Sequence, residues 1–166
     1  MSTAAPTPSW REGAVRYIDR THAYYDAQGF EDRYRYAEHD DAPFTPLEKP
    51  LSASTVGLVT TASIEHRAPL APRKVDSGST EAPPERLFTD DLSWDKNATH
   101  TDDRESFLPV DVLKALATEG RVGAVAPRFH CAPTEYSQRA TREQDAPEIL
   151  RRLLQDGADV ALLLPL

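Results

Sequence analysis

The chain is poor in sulfur: its 166 residues include one cysteine and one methionine. A lone cysteine closes no internal disulfide, which excludes a stapled secreted scaffold. Cysteine-built zinc sites need several thiolates and are excluded as well. Basic residues are also in short supply. Nineteen Lys and Arg stand against 27 Asp and Glu, a formal charge of −8, so the clustered cationic face of a nucleic-acid binder is not expected. No apolar run approaches the roughly 20 residues of a membrane span. Met1–Ser9 carries no basic–apolar–small leader pattern. Phosphate-cradling GxxxxGKS or GxGxxG loops are missing, and so are internal repeats. These absences leave the expectation of a soluble, cytoplasmic protein with no nucleic-acid or membrane partner. Its length is enough to bury a core without staples.

Proline is plentiful and unevenly placed, with nine of the 14 before residue 85. Apolar runs are sparse before residue 55 and frequent after residue 107. This division predicts an N-terminal extension over 1–50 and an α/β core over 51–166, interrupted by a polar insertion at 63–85. In the extension, Ser9 and Glu12 have capping-box spacing. Val15, Ile18, His22 and Tyr25 follow at helical spacing, and Gly29 is a natural stop. The Pro-rich, aromatic arm beyond has Tyr34, Tyr36 and Phe44 as anchors onto the core.

The core reads as an open, mostly parallel sheet with flanking helices. Thr55–Thr61 (TVGLVTT) is a nearly continuous apolar, β-branched run, the pattern of a strand buried on both faces. Arg86–Thr89 reads as a second, short strand, after a loop at Ser63–Glu85. Pro109 opens a helix in its first turn, with Val112, Leu113 and Leu116 on its apolar face and Gly120 ending it. Val122–Ala126 is a third strand. Asp145 and Glu148 have capping-box spacing around Pro147, and Ile149, Leu150, Leu153 and Leu154 form the core stripe of that helix. Asp159–Leu166 (DVALLLPL) is a fourth strand. Helix–strand units joined by short Gly turns imply parallel crossovers.

Three places hold residue types that carry chemistry. His100, Asp102 and Asp103 share the polar loop before Pro109, where a histidine flanked by acids suits a proton donor or a pair of metal ligands; a solvated capping loop is the plainer alternative. Arg128, His130 and Cys131 follow the third strand at its carboxyl end, where open α/β sheets place ligand-facing groups. Arg128 suits a substrate carboxylate. Cys131 is either a nucleophile or a small buried hydrophobe. His22, His39 and His66 carry no ligand spacing, and no metal site is expected.

Taken in order, TVGLVTTAS at Thr55–Ser63, DxxxSFLP at Asp102–Pro109, PVDVLKALATEGRVGAVAP at Pro109–Pro127 and DAPEILRRLLQDGADVALLLP at Asp145–Pro165 resemble the selenoprotein B family of glycine, sarcosine, betaine and D-proline reductases. The resemblance covers about two-thirds of the chain. It implies a selenocysteine-dependent reductive cleavage of a C–N bond beside a carboxylate, on a small amino-acid or betaine-like substrate. It also implies other reductase-complex subunits, a pyruvoyl group on one of them, and a thioredoxin-like reductant for a Sec-x-x-Cys pair. In that family the last strand leads directly into the selenocysteine, which here would follow Leu166. The resemblance therefore implies an N-terminal portion cut at a UGA codon, with no cofactor of its own and no activity by itself. Asp95, in SWDKN, aligns with an aromatic–Asp pair of the family and, with His100, Asp103, His130 and Cys131, is a candidate catalytic residue. Asp91 stands where the family has histidine, and Glu105 where it has asparagine, which implies a divergent branch. Two other functions remain open: a scaffold or small-carboxylate-binding module without redox chemistry, and a thiol enzyme using Cys131. An uncovered strand at Val160–Leu166 is expected to make the isolated chain aggregate or dimerise.

Overall fold

The computed structural model describes residues 13, 15–30, 35, 37–41, 45–66, 71–89, 100–135 and 137–166. The chain divides into two units, Met1–Ala42 and Pro43–Leu166. The first unit contains α1 (Tyr17–Ala27), whose entry carries an Arg16–Asp19 ion pair and whose exit is Gly29 at φ +80°. That left-handed conformation is cheap only for glycine, so the chain turns where the sequence places its stop. Val15 lies just before the helix, and none of the helix residues is buried. The Ser9–Glu12 box and the three aromatic anchors, Tyr34, Tyr36 and Phe44, lie outside the described residues.

The second unit is built on β1 (Thr55–Thr60), five of whose six residues are buried. β-branched and apolar side chains on alternate sides suit a strand covered on both faces. Parallel neighbours flank it, β3 (Ala124–Cys131) on one side and β4 (Val160–Leu164) on the other. β2 (Asp76–Ser79) pairs antiparallel to β3 on its outer side, giving the order β2-β3-β1-β4.

The two faces of the sheet are covered differently. On one, α2 (Val110–Thr118) sets Val110 and Leu113 against Val56, Leu58, Phe129 and Cys131 in the apolar core, with Phe107 and Leu108 beside them. On the other lies α4 (Ala146–Gln155). Alternation points Gly57 at this face, where a Cβ would stand 2.4 Å from Leu153 Cδ2 and 3.2 Å from Ala158 Cβ. The missing side chain is what lets α4 come down onto β1.

Several boundaries differ from the sequence reading, each for a physical reason. The stretch 63–85, read as loop, contains β2; Asp-Ser-Gly-Ser has no apolar alternation, and β3 supplies its pairing. Arg86–Thr89, read as a strand, makes one bridge, between Ser63 and Phe88. The third strand does not stop at Ala126. Pro127 has no N–H for the ladder, and the register of β3 against β1 shifts between Val56 and Leu58. This irregularity admits the proline and lets the strand run on to Cys131. Pro109 is the N-cap of α2 rather than a residue of its first turn. Asp145 does not cap α4. The helix begins at α3 (Gln138–Ala140), capped by Ser137, and passes through a π turn at Thr141–Asp145.

Gly123, just before β3, is held more tightly still. Its N–H bonds the carbonyls of Leu51 and Ser54, and a Cβ would meet the backbone of Ala53 and Ser54 at 2.6–2.8 Å. Backbone cannot rotate away as a side chain can. Gly123→Ala is therefore expected to cost about 1–3 kcal/mol, measured as a lower denaturant midpoint with an unchanged slope.

Candidate functional site

β1 has β3 on one side and β4 on the other, so the chain reverses its direction across the sheet at β1. In open α/β sheets ligands bind outside the carboxyl ends of the strands at such a reversal. There, between β1, β4 and α4, lies a groove of about 460 Å³ whose walls include Val59, Leu150, Leu153, Leu163 and Pro165. Thr61 and Thr141 supply hydroxyls, and Asp145 a carboxylate. The Thr61 hydroxyl is already used, 2.8 Å from the Leu166 N–H. Apolar surface continues outward, with Leu154 65% and Leu163 66% exposed.

Asp145 is committed elsewhere. Arg73, nearly buried, donates through Nε to both of its oxygens at 3.1 Å and through Nη2 to Oδ2, and reaches Glu135 and the Thr141 hydroxyl at 3.1 Å. The guanidinium is held charged by these acceptors, chiefly Asp145, against the opposing effect of burial. This fork ties 71–75 to the π turn that forms one lip of the groove.

Behind α4, away from the groove, is a second polar cluster. His130 points to the α4 face of β3 and is fully buried. Its Nδ1 lies 2.8 Å from Ser77 Oγ, on the paired position of β2. Ser77 Oγ also accepts a hydrogen bond from Arg152 Nη1 at 2.7 Å, and Arg152 Nε reaches Glu148 at 2.7 Å. Arg128 grips Asp156 with three contacts of 2.8–3.1 Å. His130 Nε2 stands 3.4 Å from Asp156 Oδ2 but has no hydrogen-bond partner among the described residues. Arginine only donates, so Ser77 gives its own proton to Nδ1, and the ring proton is assigned to Nε2. Burial holds the His130 pKa below its ordinary value, opposed by Asp156 and helped by Arg128 and Arg152.

The sequence-selected residues are thus dispersed. Arg128, His130 and Cys131 lie within β3 rather than beyond its end. Arg128 binds an internal carboxylate. Cys131 is buried on the opposite face, in the α2 core, so it does not meet His130. His100 and Asp102 are exposed and lie 3.7 Å apart. Asp103 caps a short 3₁₀ turn through the Glu105 N–H at 3.0 Å. Asp95 lies outside the described residues, as does most of its loop. Ser77, Arg152 and Asp156 were not selected, because nothing in a polar loop, a helix face or a Gly turn marks them until the sheet pairs.

Glu105, the departure from asparagine, has a local task. One of its oxygens accepts from the N–H groups of Asp111 and Val112 at 3.0 and 3.1 Å, and the other is held by Arg104 at 2.7 Å. Two oxygens let it satisfy the start of α2 and its neighbouring arginine together. Among the described residues no three His, Cys, Asp or Glu side chains gather as metal ligands. No described helix is long and apolar enough to cross a membrane.

Fold and site together define an α/β domain wound about a central parallel strand, with an apolar crevice at its reversal. No family model and no solved structure matches it. The chain is similar to D-proline reductase subunit gamma of Acetoanaerobium sticklandii, 29% identical over 126 residues, which is 72% of this chain and 52% of that protein. It spans about half the length of this curated relative, and it is a distant relative of a reductase subunit.

Two substitutions test these anchors. Arg73→Met strands the Asp145 carboxylate and is expected to cost about 3–5 kcal/mol of stability in denaturant unfolding, with part recovered in the Arg73→Met/Asp145→Asn double variant. Glu105→Ala uncaps α2 and is expected to cost about 1 kcal/mol, read the same way.

Proposed function

We infer that the chain is the N-terminal part of a reductase subunit of the D-proline, glycine, sarcosine and betaine reductase type, acting with partner subunits. The observation that carries this is the similarity over 126 residues to a D-proline reductase subunit, in a sheet whose crevice lies at the carboxyl end of β4. In this reading selenocysteine follows Leu166 and a pyruvoyl group sits on another subunit. Selenocysteine supplies a nucleophile already ionised at neutral pH, for reductive C–N cleavage on a small amino-acid or betaine-like substrate.

The residues present do not complete a site for those groups. No cation is among the described residues lining the groove, so nothing there receives a substrate carboxylate, and Arg128 is already paired with Asp156. No chemical step is therefore derived through the selenium or the pyruvoyl group. What this portion contributes is structural: it frames the crevice and presents apolar walls suited to further polypeptide. That same apolarity favours the second reading, a scaffold module without redox chemistry. Burial of Cys131 in the core supports a packing role for its thiol over a stand-alone thiol enzyme.

Expression of the gene with its downstream region in a selenocysteine-decoding host fed radioselenium tests the assignment. The expected product is a labelled polypeptide longer than 166 residues that carries this chain's peptides. An unlabelled product with an ordinary stop codon after Leu166 overturns the reductase reading and leaves the scaffold.

A further inference from the structure

The cluster around His130 has a charge balance that depends on one proton. Facing the ring are Arg128 from β3, Arg152 and Glu148 from α4, Asp156 from the turn after α4, and the Ser77 hydroxyl from β2. Two cations meet two carboxylates. Arg151, half exposed, shares Glu148 from the outer side and adds a third cation. Glu148 is held down to about 2 by Arg151 and Arg152, so it stays ionised across the ordinary pH range. The set is therefore neutral or slightly cationic while His130 is neutral. A proton on His130 adds a buried positive charge between two arginines.

The hydrogen bonds are equally tied to the neutral ring. Ser77 Oγ accepts from Arg152 and donates to Nδ1; a protonated Nδ1 becomes a donor and faces an oxygen whose own proton then has no acceptor there. Asp156 lies 3.4 Å from Nε2 without a hydrogen bond, and Arg128 already occupies both its oxygens. Asp156 compensates part of the added charge, and burial outweighs it.

All of these contacts join the sheet to one element. Arg152, Glu148 and Asp156 belong to α4 and its exit, while Ser77, His130 and Arg128 belong to β2 and β3. The opposite flank of the same helix supplies Leu150 and Leu153 to the apolar groove. The α2 face, with the larger apolar core, has no part in the cluster.

We propose that His130 is a pH-operated latch for α4: neutral, it seats the helix on the sheet, and protonated, it releases the helix locally and opens the groove while the α2 side stays folded. The direction follows from linkage. The His130 pKa lies below 6.5 in the seated state and returns toward 6.5 once the helix lifts. The latch is at full strength above that pH and weakens as pH falls through it, because the lifted state then binds the extra proton. One proton allows at most about a tenfold gain in opening per pH unit.

Native-state hydrogen exchange on the full chain, corrected for intrinsic exchange, tests the proposal between pH 7.5 and 5.5. Amides of Ala146–Gln155 are expected to open up to about tenfold more often at pH 5.5 than at pH 7.5, with those of Thr55–Thr60 and Val110–Thr118 unchanged. His130→Asn is expected to flatten the α4 profile. A flat profile in the unsubstituted chain, a parallel rise in α4 and β1 that signals global unfolding, or a slope that survives in a folded His130→Asn variant would each overturn the latch. The comparison of α4 with β1 in the unsubstituted chain stands even if that variant does not fold.

Discussion

A strand with parallel neighbours on both sides must be covered on both faces, and β1 sets that requirement for everything else in Pro43–Leu166. Its edges are taken by β3 and β4, so its backbone is paired on both sides apart from the irregular register between Val56 and Leu58 and the Thr55 N–H, which bonds the Asp159 carboxylate. Its faces then need two separate covers. α2 provides one with ordinary apolar packing. α4 provides the other, and can do so only because Gly57 removes the side chain that would hold it off. The crevice at the carboxyl ends of β1 and β4 is a consequence of the same arrangement, since the chain has to cross over β1 to lay down β4.

The two covers differ in kind. The α2 face is a continuous apolar cluster, in which stability grows with buried area and depends little on pH. On the α4 face, Leu153 and Ala158 approach Gly57, and polar contacts lie beside this apolar one: the Arg152–Ser77–His130 chain, the Arg128–Asp156 pair, and the Arg73 fork on the π turn. Buried polar contacts are costly to leave unmade and sensitive to protonation. The cover with the titratable contacts is therefore the one that walls the crevice.

The residues that looked chemical in isolation turn out to serve this architecture. Arg128 and His130 bind α4's exit and β2, Asp103 and Glu105 organise the start of α2, and Cys131 packs in the core. None of them lines the groove. The similarity to a D-proline reductase subunit and the position of the crevice carry the functional reading, because the side chains on this portion frame a site more than they furnish one.

The sequence by itself determined β1, α2, α4 and β4, because each has a strong periodic or β-branched apolar pattern and a glycine or proline at an end. It also determined the α/β class, through the alternation of helix and strand after Pro109. Tertiary structure alone decided the rest. β2 has no pattern of its own and exists because β3 offers an edge; β3 runs past Pro127 because an irregular register spares the missing N–H. Asp145 left its expected capping role because Arg73, 72 residues away, offered a stronger partner. Ser77, His130 and Asp156 meet only when the sheet pairs and α4 crosses it, and no local spacing records contacts made between segments so far apart along the chain.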